Sequence, residues 1–481
     1  MLVRSNYFKR RKDEKYHPLS SSTDDGVQYA ARRVWRRSCH GTTGCYPRPA
    51  TEAPSEPTDA PATEAPGAPE APGATEPPAG GTAECPEGVD GTAIEMWSPF
   101  TGPDGDEMTA LAERFSSENT CGITVTHVAQ PEYVQKLEAG AAANQLPAMT
   151  ALHIVRVAQL AARNVIKPIG PEAMAVLGED LASDFPADLW GPGEYKGQRY
   201  AIPLDVHPLI MFYNKELFAA AGIEEPGTEP WTREEFEDAL AKLEESGLPP
   251  LSLGTAFQGA ALFQGLIRQY GGSLTDETGT TATYNSEAGV KALEKIKELR
   301  DKYTPEVSGT GDPEVNVFKQ GDVGMVFHGP WWISDLSKLD FVGFAPLPTI
   351  GDQPATWGGS HQLALTTDDP TTQAAAAVWI KWLSDNSAEW AAAGQVPARQ
   401  SVRDDPNLAS VAAPISQVVE SANMVVFPAQ AAGLESALWD QFGPVVDAYL
   451  AGDVTDAQAA LDEAAARSQQ VMEENLSLFG E

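Results

Sequence analysis

The sequence predicts an α/β protein with more than one folded core. From Gly88 onward, strand-like apolar runs alternate with helix-like runs, which is the pattern of α/β folds. The chain has 481 residues, of which 42% are apolar and 21% are charged, a composition typical of folded proteins. At roughly 100 to 200 residues per domain, this length leaves room for two or more cores.

The first elements of the folded part predict a βαβαβ unit. Thr92–Trp97 and Ile123–Val128 are strand-like, and Asp104–Asn119 between them carries apolar residues at helical spacing. A helix around Tyr133–Ala143 and a short apolar run, Met149–Val155, complete the unit. Parallel strands joined by helices are therefore expected at the start of the fold.

Two later helices have clear sequence signals. Thr232 is the expected N-cap of a helix, Glu235 closes a capping box with it, and Gly247 follows as a helix-ending residue. Ala288–Leu299 places its apolar residues on one face, which predicts an amphipathic helix.

The charge and the apolar runs exclude some partners. A formal net charge of −35 would repel a phosphate backbone, so we expect no nucleic-acid partner. The longest nearly apolar stretches, such as Met424–Ala432, are much shorter than the roughly 18 to 20 residues that cross a bilayer. Within this sequence, no membrane-spanning segment is expected.

The N-terminal part differs from the rest in composition. Residues 1–45 are strongly basic, whereas residues 46–87 are rich in Pro, Ala, Glu and Thr. Such a segment cannot bury enough apolar surface to offset its conformational entropy, so 46–87 is expected to be a disordered tether. The Gly44-Cys45 pair before it is typical of the end of a lipidation box, which makes Cys45 a lipidation candidate.

No run of 7 to 15 apolar residues precedes Cys45. We therefore interpret residues 1–45 as a misread or degenerate signal region. A natural basic tail on a cytosolic protein is the alternative.

Two cysteines precede the first two predicted strands, Cys85 before Thr92–Trp97 and Cys121 before Ile123–Val128. Parallel strands of a βαβ unit start at the same edge of the sheet, so these cysteines can meet. We predict a Cys85–Cys121 disulfide, which would belong in an oxidising, extracytoplasmic compartment. Two unrelated buried thiols are the alternative, and the seven scattered histidines show no metal-binding spacing.

Several blocks resemble one protein family when they are taken in order. They are Met96–Gly102, Tyr200–Leu217, Pro230–Phe236, Gly321–Trp332, Trp357–Leu365, Gly394–Val402 and Leu438-Trp439. Together they are similar to the family 1 extracellular solute-binding proteins, the maltose-binding-protein-like receptors of bacterial ABC sugar importers. The resemblance covers about residues 88–481.

The resemblance implies a type II periplasmic-binding-protein-like fold, in which two α/β lobes close around ligand in a cleft. The first lobe would hold residues 88–206 and 342–385, and the second 207–341 and 386–481. The implied function is capture of a sugar or oligosaccharide outside the cytoplasm and delivery to an ABC permease by a monomeric, lipid-anchored receptor. No enzymatic activity, cofactor, metal or catalytic residue is expected.

Candidate ligand-binding residues follow from these blocks and from the chemistry of sugars, which need aromatic platforms and polar partners. Asp205 and His207 should share a face of the hinge-crossing segment, with hinge hydrogen bonding as the alternative role. Adjacent Trp331 and Trp332 cannot easily both face one ligand on a helix, and Trp331 is favoured. The remaining candidates are Trp97, Phe100, Gly358, Gly359, His361, Arg399 and Trp439.

Alternatives stay open for these residues and for the function. Trp97 could cap the sheet, Trp439 could be core, Gly358 and Gly359 could form a plain turn, and Arg399 could pair with Asp404 or Asp405 on the surface. A surface sugar sensor or adhesin, or a receptor for a polyamine or polyol, could use the same fold. A glycosidase is the enzyme alternative, but no motif places a carboxylate pair.

Overall fold

The computed structural model describes residues 85–178, 180–305, 307, 311–408, 425–426 and 431–479. The basic segment 1–45, the lipidation candidate Cys45 and nearly all of the tether 46–87 lie outside the described residues. None of the helices in the described ranges has the length and apolarity that a membrane crossing needs.

The first sheet has five strands and begins with the expected βαβαβ unit. Its three leading strands are parallel to one another. His361–Leu365 pairs antiparallel with the third of them, and Ala201–Pro203 pairs antiparallel with the other edge of His361–Leu365. In spatial order the strands are Thr124–Ala129, Ala93–Ser98, Met149–His153, His361–Leu365 and Ala201–Pro203. The helices near these strands in the chain are Pro103–Glu118, Tyr133–Ala143, Val157–Ala162, Pro171–Leu177, Ala187–Trp190, Pro370–Asp385 and Ser387–Trp390.

The first helix shows why its sequence folds in this way. Pro103 occupies the first turn, where a backbone N–H would have no partner within the helix, so its missing N–H costs no hydrogen bond. Asp104 and Asp106 place negative charge at the positive end of the helix dipole. The apolar positions Met108 and Phe115 are fully buried against the sheet core.

The predicted disulfide is present between Cys85 and Cys121, whose Cα atoms lie 5.5 Å apart. The two cysteines are 36 residues apart in sequence and precede adjacent parallel strands. The bond therefore ties the start of the described chain to the edge strand Thr124–Ala129.

The second sheet has four strands and is covered on both faces. Ile210–Asn214 is one of its two inner strands. Its consecutive residues Met211 and Phe212 point to opposite faces of the sheet, and each is fully buried in a different apolar cluster. In spatial order the strands are Val342–Pro346, Ile210–Asn214, Met325–His328 and Leu251–Ser252. The helices of this part are Lys215–Ala221, Arg233–Glu245, Ala256–Gln269, Glu287–Tyr303, Pro313–Phe318, Ile333–Leu336, Leu434–Ala451 and Ala457–Phe479.

A small third sheet joins the other two. Asp205–Pro208 continues from the first sheet into the second, and Thr356–Gly359 leads back towards the first sheet, antiparallel to it. Val396–Pro397 pairs with the opposite edge of Asp205–Pro208, and Val425–Val426 pairs with Thr356–Gly359. The segment Tyr200–Leu217 thus crosses between the two larger sheets, as its sequence predicts.

Strand pairing and packing differ from two of the expected lobe boundaries. Val342–Pro346 was expected in the first lobe, but it pairs antiparallel with Ile210–Asn214 in the second sheet. Conversely, Ser387–Trp390 was expected in the second lobe, but it contacts the first helix, Pro103–Glu118, and buried Trp390 packs against Phe100. The spacing of the motifs along the sequence cannot show at which strand the chain passes from one sheet to the other.

Candidate functional site

A cavity of about 590 Å³ lies where the crossing strands meet the two larger sheets. Its wall takes residues from the end of the first strand, from Asp205–Pro208 and Thr356–Gly359, and from the helix Leu434–Ala451. This volume is within the range of pockets that hold small ligands. The Phe and Trp residues that line it, among those described, are Phe100, Phe257, Trp331, Trp332, Trp357, Trp439 and Phe442.

Four of these rings form a continuous aromatic wall, which we define as Phe257, Trp331, Trp357 and Trp439. The ring centroid of Phe257 lies 5.6 Å from that of Trp331, 5.2 Å from that of Trp357 and 5.7 Å from that of Trp439. Edge-to-face and tilted contacts of this kind hold each ring in one orientation. The wall offers flat apolar surface to a ligand.

Phe257 is central to this wall, and the sequence analysis missed it. It lies in the first turn of the helix Ala256–Gln269, at the cavity rim, and no neighbouring motif marks it. Trp439 both lines the cavity and packs on Phe442 of the same helix, so its two proposed roles, stacking and core packing, are compatible.

Trp331 and Trp332 both line the cavity, although one of them was expected to face away. They belong to a short 3₁₀ turn, Pro330–Trp332, rather than to an α-helix. Trp332 is anchored, because its Nε1 donates to Asp312 Oδ2 at 3.0 Å and Lys319 lies over its ring. Trp331, which belongs to the aromatic wall, instead contacts the rings of Phe257 and Trp357.

Asp205 does not line the cavity; it is fully buried behind it and accepts several hydrogen bonds. His361 Nδ1 donates at 2.9 Å, His207 Nδ1 at 3.2 Å and Trp390 Nε1 at 2.8 Å. The expected shared face of Asp205 and His207 is therefore observed. Burial alone would raise the pKa of Asp205, but the neighbouring His361 and His207 hold that pKa well below its usual value.

Three histidines line the cavity in front of this carboxylate: His153, His207 and His361. Burial, together with the charge of His361, lowers the pKa of His207 to about 4, so its ring is neutral at neutral pH. Because His207 Nδ1 donates to Asp205, its Nε2 carries the lone pair and can accept a hydrogen bond.

His153 was not predicted as a site residue. Its Nδ1 lies 2.9 Å from the Tyr133 hydroxyl, whose oxygen also accepts the His153 backbone N–H. Burial, followed by the charges of His361 and His207, lowers the pKa of His153 well below its usual value. The Tyr133 hydroxyl can donate to Nδ1, which would leave the proton of His153 on Nε2. In that tautomer His153 and His207 offer opposite hydrogen-bonding roles, which suits hydroxyl groups.

Gly358 and Gly359 line the cavity in the strand Thr356–Gly359, not in a plain turn. A Cβ atom on Gly359 would lie 2.1 Å from His207 Nε2, so only glycine leaves room for that ring. Phe100 also lines the cavity, and its ring lies edge-on to that of His361, with 4.7 Å between the ring centroids.

Trp97 and Arg399 lie away from the cavity. Trp97 is inside the first strand, and its Nε1 donates to Glu95 Oε1 at 2.6 Å. Arg399 forms ion pairs with Asp184, at 2.7 Å, and with Asp385. Arg399 thus pairs with Asp184, which lies 215 residues earlier, and with Asp385, rather than with Asp404 or Asp405.

The charged groups of the cavity wall are acidic. Asp104, Asp312 and Glu435 line it, and none of the described lining residues is Lys or Arg. Arg156, just outside the cavity, holds Glu435 in an ion pair of 2.6 Å between the two halves of the site. Burial nevertheless raises the pKa of Glu435, and Arg156 only partly opposes this.

Comparison with known proteins agrees with this architecture. A family model described as bacterial extracellular solute-binding protein matches residues 101–390, which is more than half of the chain. The chain belongs to this family. The family predicted from the sequence motifs is thus confirmed, and the members of this family are binding proteins.

Among curated relatives, the sn-glycerol-3-phosphate-binding periplasmic protein UgpB of Pectobacterium atrosepticum is 25% identical over 325 residues, covering 62% of this chain and 71% of that protein. UgpB of Escherichia coli K12 is also 25% identical, over 320 residues, covering 62% of this chain and 72% of that protein.

Solved structures of similar fold cover nearly all of the described chain. The GacH receptor of Streptomyces glaucescens, solved unliganded and with acarbose, has a TM-score of 0.68 and 26% identity, covering 80% of this chain and 98% of that one. Maltose-bound MalE3 of T. maritima has a TM-score of 0.68 and 21% identity, covering 79% and 100%. These likenesses confirm the two-lobe type II fold.

Proposed function

We propose that this solute-binding protein captures a neutral sugar or oligosaccharide in the cavity and delivers it to an ABC permease. The observation that carries the proposal is the aromatic wall facing the histidines His153 and His207. Flat rings match the C–H faces of a sugar, while one hydrogen-bond donor and one acceptor match its hydroxyls. The acarbose complex of the similar GacH receptor supports the same ligand class.

The acidic lining argues against the anionic ligand of the UgpB relatives. A phosphate ester needs Arg, Lys or backbone N–H donors, whereas Asp104, Asp312 and Glu435 would repel it. The same lining favours a second candidate ligand class. An amine-bearing solute, such as a polyamine, could pair with the carboxylates and lie over the aromatic wall.

A ligand screen separates these classes. The full chain is titrated by calorimetry with maltooligosaccharides, acarbose, spermidine and sn-glycerol-3-phosphate. We expect binding of a saccharide and weakening by roughly 10- to 100-fold in Trp331→Ala, because a central aromatic anchor is lost. Trp97→Ala, a tryptophan outside the cavity, is the matched control. Binding of glycerol phosphate alone would contradict the proposal, and binding of spermidine alone would favour the second candidate.

We infer that the third sheet is the hinge between the lobes. Residues 204–208, 356–360 and 396–397 connect the two larger sheets, so the first lobe would hold about 88–203 and 361–395 and the second about 209–355 and the C-terminal helices. Small-angle scattering with and without the saccharide should show a smaller radius of gyration on binding. An unchanged radius under saturating ligand would contradict hinge closure.

We further propose that the protein acts as a monomer outside the cytoplasm, anchored through a lipid on Cys45. The disulfide Cys85–Cys121 supports an oxidising compartment, and the polar tether 46–87 would separate the lobes from the membrane. Mass spectrometry of protein from the native membrane should find diacylglycerol on Cys45. An unmodified Cys45 in protein from that membrane would contradict the lipid anchor.

A further inference from the structure

A second cluster of polar residues lies beside the cavity and is not explained by solute binding. His328 ends the strand Met325–His328, Asp312 directly precedes the helix Pro313–Phe318, and Glu314 lies in its first turn. The side chains of His328 and Glu314 are 1% and 4% exposed, and that of Asp312 is 31% exposed. Two carboxylates and one imidazole therefore meet in a largely dry place.

The hydrogen bonding of this cluster is incomplete. Neither ring nitrogen of His328 has a well-formed hydrogen bond, although both are buried. Its ring is surrounded by aromatic rings, at 5.8 Å from Phe257, 5.4 Å from Trp331 and 6.4 Å from Trp332. Buried polar groups without partners are costly, which suggests that a further group completes the cluster.

The spacing of the three side chains fits a metal ion. His328 Nε2 lies 3.6 Å from Asp312 Oδ1 and 3.4 Å from Glu314 Oε1, and the three ligand atoms lie within 4.8 Å of one another. Tetrahedral ligands at roughly 2.1 Å from a zinc ion are separated by about 3.4 Å. The two separations from His328 Nε2 are thus close to those of a coordinated set.

We propose that Asp312, Glu314 and His328 bind a divalent transition-metal ion, for which Zn²⁺ is the probe. One nitrogen and two carboxylate oxygens are a ligand set that suits such ions. The second oxygen of Asp312 accepts from Trp332 Nε1 at 3.0 Å, which orients the carboxylate as outer-shell partners of metal ligands do. Because Asp312, Trp331 and Trp332 line the cavity, the ion would brace the cavity wall.

The other histidine group is a weaker candidate for the same ion. His153, His207 and His361 also lie within 4.8 Å of one another. However, Asp205 already accepts hydrogen bonds from His207 and His361. In the cluster of Asp312, Glu314 and His328, by contrast, the imidazole has no well-formed hydrogen bond.

A competing explanation needs no metal. His328 could be a buried imidazolium held by the two carboxylates, which together outweigh its burial and raise its pKa. The two explanations differ in one measurable property, since only the metal site takes up Zn²⁺ with a stoichiometry of one ion per chain.

The experiment is a calorimetric titration of the metal-free full chain with Zn²⁺. Iodoacetamide treatment without reductant first blocks any free thiol at Cys39 and Cys45, leaving the disulfide intact. We expect one ion per chain, a changed tryptophan fluorescence, and at least tenfold weaker binding in Asp312→Asn and in His328→Asn. Asp335→Asn, a carboxylate on the next helix that pairs with Lys319, is the matched control.

Three outcomes would overturn the proposal. They are no uptake by the wild-type chain, unchanged binding in Asp312→Asn, and loss of binding in His153→Asn with His328→Asn unaffected. If His328→Asn does not fold, the partly exposed Asp312→Asn decides, because it changes only one oxygen to nitrogen. No sugar enters the titration, so its result is independent of the proposed transport function.

Discussion

At the scale of single residues, the site depends on one carboxylate that does not line the cavity. Asp205 fixes the ring orientation of His207 and His361 and also holds Trp390, so it links the cavity to the first-lobe core. A buried carboxylate that accepts hydrogen bonds from several N–H groups holds a network together, and much of that network is lost when its charge is removed. Asp205 is therefore a positioning residue.

Asp205→Asn should destabilise the fold and weaken solute binding together. The amide cannot accept at both oxygen positions, so one or more buried N–H groups lose their partner, at a cost of roughly 2 to 4 kcal/mol in the free energy of unfolding. Urea unfolding and the saccharide titration measure the two effects. Exposed Asp453→Asn is the control, and an Asp205→Asn protein as stable as wild type would refute the positioning role.

The neutral histidines predict a pH dependence of stability. The pKa values of His207 and His153 are lower in the folded protein than in the unfolded chain, so the unfolded chain binds more protons in acid. The contribution of His207 is complete above pH 6.5 and is lost progressively as the pH falls towards about 4. The contribution of His153 is lost in the same direction. Facing charged groups are Asp205, His361 and Arg156.

Thermal unfolding followed between pH 7.5 and 4.5 tests this dependence. The melting temperature of the wild type should fall more steeply, or rise less, below pH 6.5 than that of His153→Gln, because the variant lacks one histidine whose pKa is lowered by folding. Equal pH dependence in the two proteins would contradict this contribution of His153.

At the scale of elements, the sequence predicted local features such as helix caps well, but it did not predict which distant residues meet at the site. The capping box of Thr232 and Glu235 is formed, because all its atoms lie within four residues. Phe257 and His153 were missed because their roles arise only when distant elements meet. The seven histidines were interpreted as scattered, yet the fold brings four of them to the cavity and its border, since chain distance does not measure distance in space.

The strand Thr356–Gly359 carries the most sensitive backbone position of the site. Gly359→Ala places a methyl group against His207 Nε2, so the ring must move out of its bond with Asp205. We expect at least tenfold weaker saccharide binding and a loss of roughly 1 to 3 kcal/mol in unfolding free energy. Gly227→Ala, with open space around its Cβ position, is the matched control. Equal behaviour of both variants would exclude this steric role.

At the scale of the whole molecule, the fold class, the family and the disulfide were all predictable from the sequence. Motif order identifies a family, and paired cysteines before adjacent strands identify a bond. The exact lobe boundaries were not predictable, because Val342–Pro346 could pair with either sheet on apolar pattern alone. Only the register with Ile210–Asn214 decides this.

Replacing Cys85 and Cys121 by serine should lower the free energy of unfolding by roughly 2 to 4 kcal/mol, because a closed loop of this length restricts the unfolded chain. Chemical denaturation of the double variant against wild type measures the loss. Solute affinity should stay within about twofold, since neither cysteine lines the cavity. A large change in solute affinity with an unchanged free energy of unfolding would show that the disulfide supports the binding site rather than the stability of the fold.

The position of His361–Leu365 in the first sheet has a consequence for how the chain folds during synthesis. This strand lies between Met149–His153 and Ala201–Pro203, so the sheet stays split until more than 150 further residues have been made. Contacts so distant in sequence form late, because closing the long loop costs entropy before they stabilise the sheet. The nascent chain therefore stays incompletely folded until most of its length has left the ribosome.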